Sequence, residues 1–165
     1  MMHFTTDSDL IKSFMLDKEV LETSLNDNTR AMIGATDVAI PEDGFFCVSD
    51  DHMAMAYVSP TTTEDVYELH SIIKKEGRGR PKFYFQELID LLVKFTSVAN
   101  LITYVEVSNT RAYYSAKRVG FQEIGKLVAY SKNNGYHCDA ILFQYPIEAN
   151  LIKPVEQQDA SLSIE

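Results

Sequence analysis

Two adjacent stretches hold the residue types that do chemistry. Between Val66 and Ile73, Glu68 and His70 alternate with Leu69. On a β-strand that spacing puts the carboxylate and the imidazole on one face, where either can take up a proton. Directly after come Gly77-Arg78-Gly79-Arg80 and Pro81. Lys74, Lys75, Arg78, Arg80 and Lys82 against Glu76 give 5 − 1 = +4 over residues 74–82, in a chain of formal net charge −9. Two glycines let a ligand approach the backbone closely. A helix opening at Pro81 presents unpaired N–H groups and a partial positive charge. A basic island in an acidic chain predicts one phosphate-bearing ligand rather than a nucleic-acid track, which needs a broader basic surface.

The elements that must position these residues follow from the flanking pattern. Val66, Tyr67, Leu69, Ile72 and Ile73 supply the bulk of a strand over 66–73. Pro81 suits the first helical position, and Phe85, Leu88, Ile89, Leu92 and Phe95 form one apolar helix face. Upstream, Met2–Thr5 reads as a strand. Thr6 or Asp7 caps a helix from Asp9 to about Leu16, with Leu10, Ile11, Phe14 and Met15 on one side. A second helix runs from about Asp17 to Leu25 with Val20, Leu21 and Leu25 inward, ended by Asn26-Asp27-Asn28. Residues 29–44 show no clear period and close on the turn Pro41-Glu42-Asp43-Gly44. Phe45–Val48 and Met53–Ser59 form a hairpin about Ser49-Asp50-Asp51.

Downstream, Ile102–Val107 is a strand and Asn109–Val119 a helix ended by Gly120. Phe121–Ser131 is strand-like with a break near Gly125. Asn133-Asn134-Gly135 is a turn and Asp139–Tyr145 the last strand. From Ala149 the sequence is polar and aperiodic. The expectation is an α/β chain of the α+β, mixed-sheet kind, with helices on the sheet's faces. It has one domain over 1–148 and a polar tail over 149–165. Ligands in such sheets bind where neighbouring strands splay.

Composition narrows the function classes. The chain has 165 residues, of which 45% are hydrophobic and 24% charged, values of an ordinary globular domain. Its acidity argues against wholesale binding to DNA or to acidic membranes. Cys47 and Cys138 are far apart, with no CxxC, which fits a reduced cytosolic setting. The start MMHFTTDSDL lacks the regions of a signal peptide, and no apolar run approaches a membrane span. His3, His52, His70 and His137 have no metal-ligand spacing. Neither a P-loop nor a GxSxG pattern occurs.

Two motifs carry a family resemblance. Gly77-Arg78-Gly79 between strand and helix resembles the pyrophosphate loop (Arg/Gln)-x-x-Gly-x-(Gly/Ala) of the GNAT superfamily of acetyl-CoA-dependent N-acetyltransferases. Asn109-Thr110-Arg111-Ala112 followed by Gly120-Phe121 is similar to that family's N-x-x-A-x-x-x-Y-x-x-x-G-F helix and strand. The resemblance covers roughly residues 66 to 125, and the GRGRPKF opening looks like small phage-encoded members. Two departures stand out. With Gly77 and Gly79 as the loop glycines, the leading position is Lys74. With Gly79 as the first, the second falls on Pro81. The family's usual Tyr is replaced by Ala116.

The resemblance implies a GNAT-like acyl-CoA N-acyltransferase fold and acetyl transfer from acetyl-CoA, as co-substrate and without metal, to a primary amine. Lys74, Gly77, Arg78, Gly79 and Arg80 would hold the pyrophosphate, and Asn109 the CoA arm. The backbone N–H of Ile72 or Ile73 would meet the thioester oxygen. Glu68 would be the general base, with His70 second and Glu106 third. Tyr113 would stand in for the missing Tyr as proton donor to the departing thiolate. The acceptor would be a small molecule or a protein amine, with a homodimer or a protein complex left open and no nucleic acid or membrane as partner. The expected location is the cytoplasm, or a virion if the chain is phage-encoded. The alternative is a GNAT-fold protein without turnover, serving a virion or binding a host protein.

Overall fold

The computed structural model describes residues 1–23 and 40–151. The expectations for Leu25, for the stop at Asn26-Asp27-Asn28, for residues 29–39, for the tail from residue 152 and for the side chain of Leu21 lie outside the described residues.

A seven-stranded mixed sheet forms the frame, in the order β1-β2-β3-β4-β5-β7-β6. Its strands are β1 Met2–Thr5, β2 Phe45–Ser49, β3 Ala54–Pro60, β4 Val66–Ile73, β5 Asn100–Glu106, β6 Gln122–Asn133 and β7 Tyr136–Pro146. The helices among the described residues are α1 Ser8–Met15, α2 Lys18–Thr23, α3 Pro81–Phe95, α4 Thr110–Val119 and α5 Glu148–Leu151, with a 3₁₀ turn at Lys75–Gly77. The short α5 falls where the sequence shows only polar, aperiodic chain. All strand pairs are antiparallel except β4–β5, which α3 connects as a parallel crossover.

Local chemistry sets these boundaries. Asp7 caps α1, its carboxylate accepting from the N–H groups of Asp9 and Leu10. Pro81 stands in the first turn of α3. Asn109 caps α4 by accepting the Ala112 N–H at 3.0 Å. Gly120 ends α4 in the left-handed region at φ 109, a conformation that glycine adopts without a Cβ penalty.

Each face of the sheet is covered differently. Leu88, Ile89 and Leu92 of α3 pack on Cys47, Ala56, Val58, Leu69 and Leu101. Burying Leu88 and Leu92 contributes roughly 1.5–3 kcal/mol each. On the opposite face Ile11 and Phe14 of α1 pack on Phe46, Val48 and Met55. Glu68, His70 and Ile72 alternate onto this second face, together with Tyr57.

Candidate functional site

The sheet opens between β4 and β5. Val66, Tyr67 and Glu68 pair with Asn100, Leu101 and Ile102, and the pairing stops there. From Leu69 and Thr103 onward the two strands no longer bond to one another, whereas β4 stays paired with β3 through Ile73. The result is a cleft along which β4 has no strand partner on its β5 side among the described residues.

Alternation decides which groups those are. The Lys74 N–H bonds the carbonyl of Met53, the residue before β3, at 2.8 Å. Ile72, level with Met55, therefore turns the same way, and Ile73 and Ser71 turn their N–H groups into the cleft. Of the two backbone donors open in the sequence, Ile73 faces the cleft and Ile72 does not.

The Gly/Arg loop lies at the cleft's mouth. Gly77, Arg78 and Arg80 N–H groups bond the carbonyls of Lys74, Lys75 and Gly77. The first bond entering α3 is Tyr84 N–H to the Arg80 carbonyl at 3.3 Å, and no side chain caps the helix. Among the described residues the N–H groups of Gly79, Lys82 and Phe83 are thus left without partners. Three converging N–H groups at the start of a fifteen-residue helix suit a phosphate.

The two glycines differ. A Cβ at Gly77 would lie 2.9 Å from Met53 Cβ and 3.1 Å from Ile73 Cγ2, and one at Gly79 would meet nothing within 4 Å. Gly77 thus lets the turn pack against Met53 and the end of β4, and a Cβ at Gly79 would meet open space. Gly77→Ala is expected to cost about 1–3 kcal/mol by overpacking, and Gly79→Ala less than about 0.5 kcal/mol. Urea denaturation of the two variants checks this.

Lys74, Arg78 and Arg80 of the basic loop are engaged. Arg78 donates through Nη1 to Glu19 of α2 and through Nε to the Ile73 carbonyl at 3.4 Å. Arg111 of α4 reaches the same Glu19 carboxylate at 3.5 Å. The Lys74 ammonium lies 4.1 Å from the centre of the Phe14 ring. Arg80 donates to Asp51 at 2.9 Å and to the Tyr84 hydroxyl at 2.8 Å. Glu19 holds its proton below the ordinary carboxylate range, mainly through the Arg78 hydrogen bond. Any anion at this loop would have to compete with protein carboxylates for these guanidinium groups.

Asp51 is the anchor of the Arg80 side. The Ser49 hydroxyl foremost, then the Tyr84 hydroxyl, the Met53 N–H and Arg80, hold its carboxyl down at about 2. A depressed folded pKa gives stability that is present above the ordinary value of 3.8 and is lost as pH falls through about 2. The acid fall in melting temperature between those values is expected to be shallower in Asp51→Asn than in the parent chain. Thermal melts across that range measure it.

Glu68 and His70 come together on the face opposite α3, with Nε2 and Oε1 3.3 Å apart. Tyr57 stacks on His70 at 5.7 Å and on Phe46 at 4.6 Å. The Tyr57 hydroxyl donates to Asp43 at 2.7 Å. Burial foremost, with the Asp43 hydrogen bond second, pushes that hydroxyl up to about 12, so it stays protonated. Glu106 lies on the same face of β5, because Glu68 is level with Ile102.

Tyr113 is placed elsewhere. Its ring packs on Phe143 of β7, and its hydroxyl donates to Glu123 of β6 at 2.9 Å. β6 is the outermost strand, two strands beyond β5. The hydroxyl expected from the sequence to serve the thiolate therefore points away from the cleft. Ala116 is buried in the core beneath α4 and carries no hydroxyl. Cys47 is fully buried, and burial pushes its thiol to about 12, which rules it out as a nucleophile at neutral pH.

Sequence reasoning missed Glu19, Tyr57, Tyr104 and Tyr130. Period-two alternation from Glu68 across the hairpin would have found Tyr57, and alternation back from Glu106 would have found Tyr104. Nothing local announces Glu19 or Tyr130. Among the described residues no grouping of His, Cys, Asp and Glu could hold a metal ion, and no helix is long and apolar enough to cross a membrane.

The comparisons with known proteins agree with this geometry. No protein-family model and no curated protein matches the chain. Solved structures do. A spermidine N-acetyltransferase from Vibrio cholerae, in complex with CoA and spermine, superposes with a TM-score of 0.67 at 15% identity, covering 92% of this chain and 98% of that one. A ribosomal-protein-alanine N-acetyltransferase from Brucella melitensis gives 0.64 at 18% identity, over 88% and 99%. A ribosomal-protein-S5-alanine acetyltransferase from Vibrio fischeri gives 0.65 at 15%, over 89% and 92%. The opened β4–β5 pair, the glycine loop leading into α3 and these superpositions together give this chain the fold of the GNAT superfamily of N-acetyltransferases.

Proposed function

We propose that this protein transfers an acetyl group from acetyl-CoA to a primary amine. The observation that carries the reading is the β4–β5 cleft itself. The unpaired stretch of β4, the Glu68 carboxylate beside it and the helix start that follows β4 support this reading. The fold is shared with enzymes that acetylate spermidine and ribosomal-protein alanine, and one of them was crystallised with CoA.

In this reading the pyrophosphate rests on the N–H groups of Gly79, Lys82 and Phe83, with Arg78 and Arg80 turning to it from Glu19 and Asp51. Lys74 and Gly77 hold the loop against α1, Met53 and the end of β4, and Asn109 borders the CoA arm from the start of α4. The pantetheine arm enters between β4 and β5, and the Ser71 N–H, the cleft-facing donor nearer Glu68, donates to the thioester oxygen as charge develops there. Glu68, with His70 beside it, takes the proton from the incoming ammonium so that the amine is neutral. The amine lone pair attacks the thioester carbon, the C–N bond forms and the C–S bond breaks. The sulfur leaves as thiolate. The second proton lost by nitrogen balances the one taken up by sulfur, so no external acid is required. Tyr113 has no part in this route.

A second reading follows from Ala116 and from the Glu19–Arg78 pair that occupies the loop. It is a GNAT-fold protein that binds a partner and does not turn over. The two readings separate in an assay of CoA thiol release against a panel of primary amines. Multiple turnover on a defined amine supports transfer. Acetyl-CoA binding with thiol release no faster than in buffer supports the second reading.

A further inference from the structure

The face that carries Glu68 continues beyond the point of acetyl transfer. Tyr104 and Glu106 follow along β5 on the same side. Tyr104 is stacked on Tyr130 of β6, with ring centres 5.2 Å apart and planes 17° apart. Tyr130 reaches that position because β6 bulges. Its pairing with β7 jumps from Leu127 to Ser131, Ala129 adopts φ 53, and the Ala129 N–H is tied to Asp139 at 2.9 Å. A bulge re-aims the side chain it carries, and such bulges recur beside active sites. At the far end Glu106 accepts from the Ser131 hydroxyl, from the Asn133 amide at 3.2 Å and from the Ser108 hydroxyl at 3.5 Å. Burial first, then the charges of Glu68 and Glu106 with Tyr104 between them, raise the Tyr130 hydroxyl pKa, so both carboxylates act on this ring.

Among the described residues no lysine or arginine is paired with the carboxylates of this face. Elsewhere carboxylates meet cations: Glu19 with Arg78, Asp51 with Arg80, Asp139 with Lys126. Among the described residues Glu106 is held by hydroxyl and amide donors alone, and Glu68 has only His70. From the level of Glu68 to Glu106 the strand advances about 13 Å, at roughly 3.3 Å per residue over the four steps from Ile102. Between the two carboxylates lies a pair of tyrosine rings, a surface that suits methylene groups and the face of a cation.

We infer that this wall selects an acceptor with two or more ammonium groups on a flexible apolar chain: the reacting amine at Glu68, the methylenes across Tyr104 and Tyr130, and a retained ammonium at Glu106. The inference rests on the acetyl-transfer reading and names its substrate class. Tyr130 and Glu106 are then specificity residues, with no part in bond making.

The test compares n-octylamine with its α,ω-diamine, which differ only in the second ammonium. Two readouts are taken on the full chain in the presence of CoA or acetyl-CoA: the affinity of each amine by calorimetry, and kcat/KM for each by thiol release. The diamine is expected to be favoured by roughly tenfold or more in both. The ratio should collapse toward one in Tyr130→Ala, a half-exposed position whose truncation leaves the core intact, and in Glu106→Gln. Equal treatment of the two amines by the parent chain, or an unchanged ratio in both variants, overturns the inference while leaving acetyl transfer standing. A diamine preference in binding that depends on Tyr130 and Glu106, without any turnover, supports the recognition wall and refutes acetyl transfer.

Discussion

Glu68→Gln is expected to lower kcat by about 100-fold or more, the usual contribution of a positioned general base, with the affinity for acetyl-CoA retained. The reason is geometric. Glu68 stands where β4 and β5 last pair, so its carboxylate lies at the closed end of the cleft. Among the described residues its ion-pair contact is with His70, 3.3 Å away. Glutamine keeps the size and the hydrogen bond but cannot accept the amine's proton. The loss should be largest near neutral pH, where the amine is mostly protonated. It should shrink as pH approaches the amine's own pKa and base assistance becomes redundant. Pre-steady-state acetyl transfer against pH checks both the size and this trend. His70→Gln should cost less, because the carboxylate remains.

The combined Arg78→Ala and Arg80→Ala change is expected to weaken acetyl-CoA binding by about 100-fold, with little effect on kcat at saturating acetyl-CoA. Each charge-assisted hydrogen bond to phosphate is worth about 1.5–3 kcal/mol, but both arginines already bond carboxylates in the free protein, so only the difference appears as affinity. That competition predicts the opposite sign elsewhere. Glu19→Gln frees Arg78 from its strongest partner, and binding should tighten several-fold. A weakened Glu19→Gln variant would mean that Glu19 positions Arg78 for the ligand and does not compete with it. The same calorimetric titration measures all three proteins.

Much of the fold was legible because strong local signals agreed with tertiary packing. β4 spans Val66–Ile73 as its β-favouring run predicts, Pro81 opens α3, and Gly120 ends α4. The sharing of one face by Glu68 and His70 followed from alternation alone. What escaped the sequence depends on distant contacts. The pairing of Arg78 with Glu19 joins residues far apart in the chain, and no local pattern encodes it. The break near Gly125 was visible, because glycine marks irregular strands, and the pairing does shift between Glu123 and Gly125. The larger irregularity at Leu127–Ser131 was not, since Ala129 adopts a left-handed conformation that alanine sequence does not advertise. The stacking of Tyr130 on Tyr104 was therefore not legible. Three-residue helical spacing does put Tyr113 on the core cluster that holds Ala116, but the hydrogen bond of its hydroxyl to the Glu123 carboxylate depends on a distant strand and is not encoded locally.

The most direct test of the central claim is calorimetric titration of the purified chain with acetyl-CoA, with CoA for comparison. The account predicts one site per chain with a dissociation constant in the micromolar range, weakened by the double arginine change. Absence of binding at millimolar acetyl-CoA would contradict it, because the cleft, the glycine loop and the open N–H groups at the start of α3 would then serve no thioester.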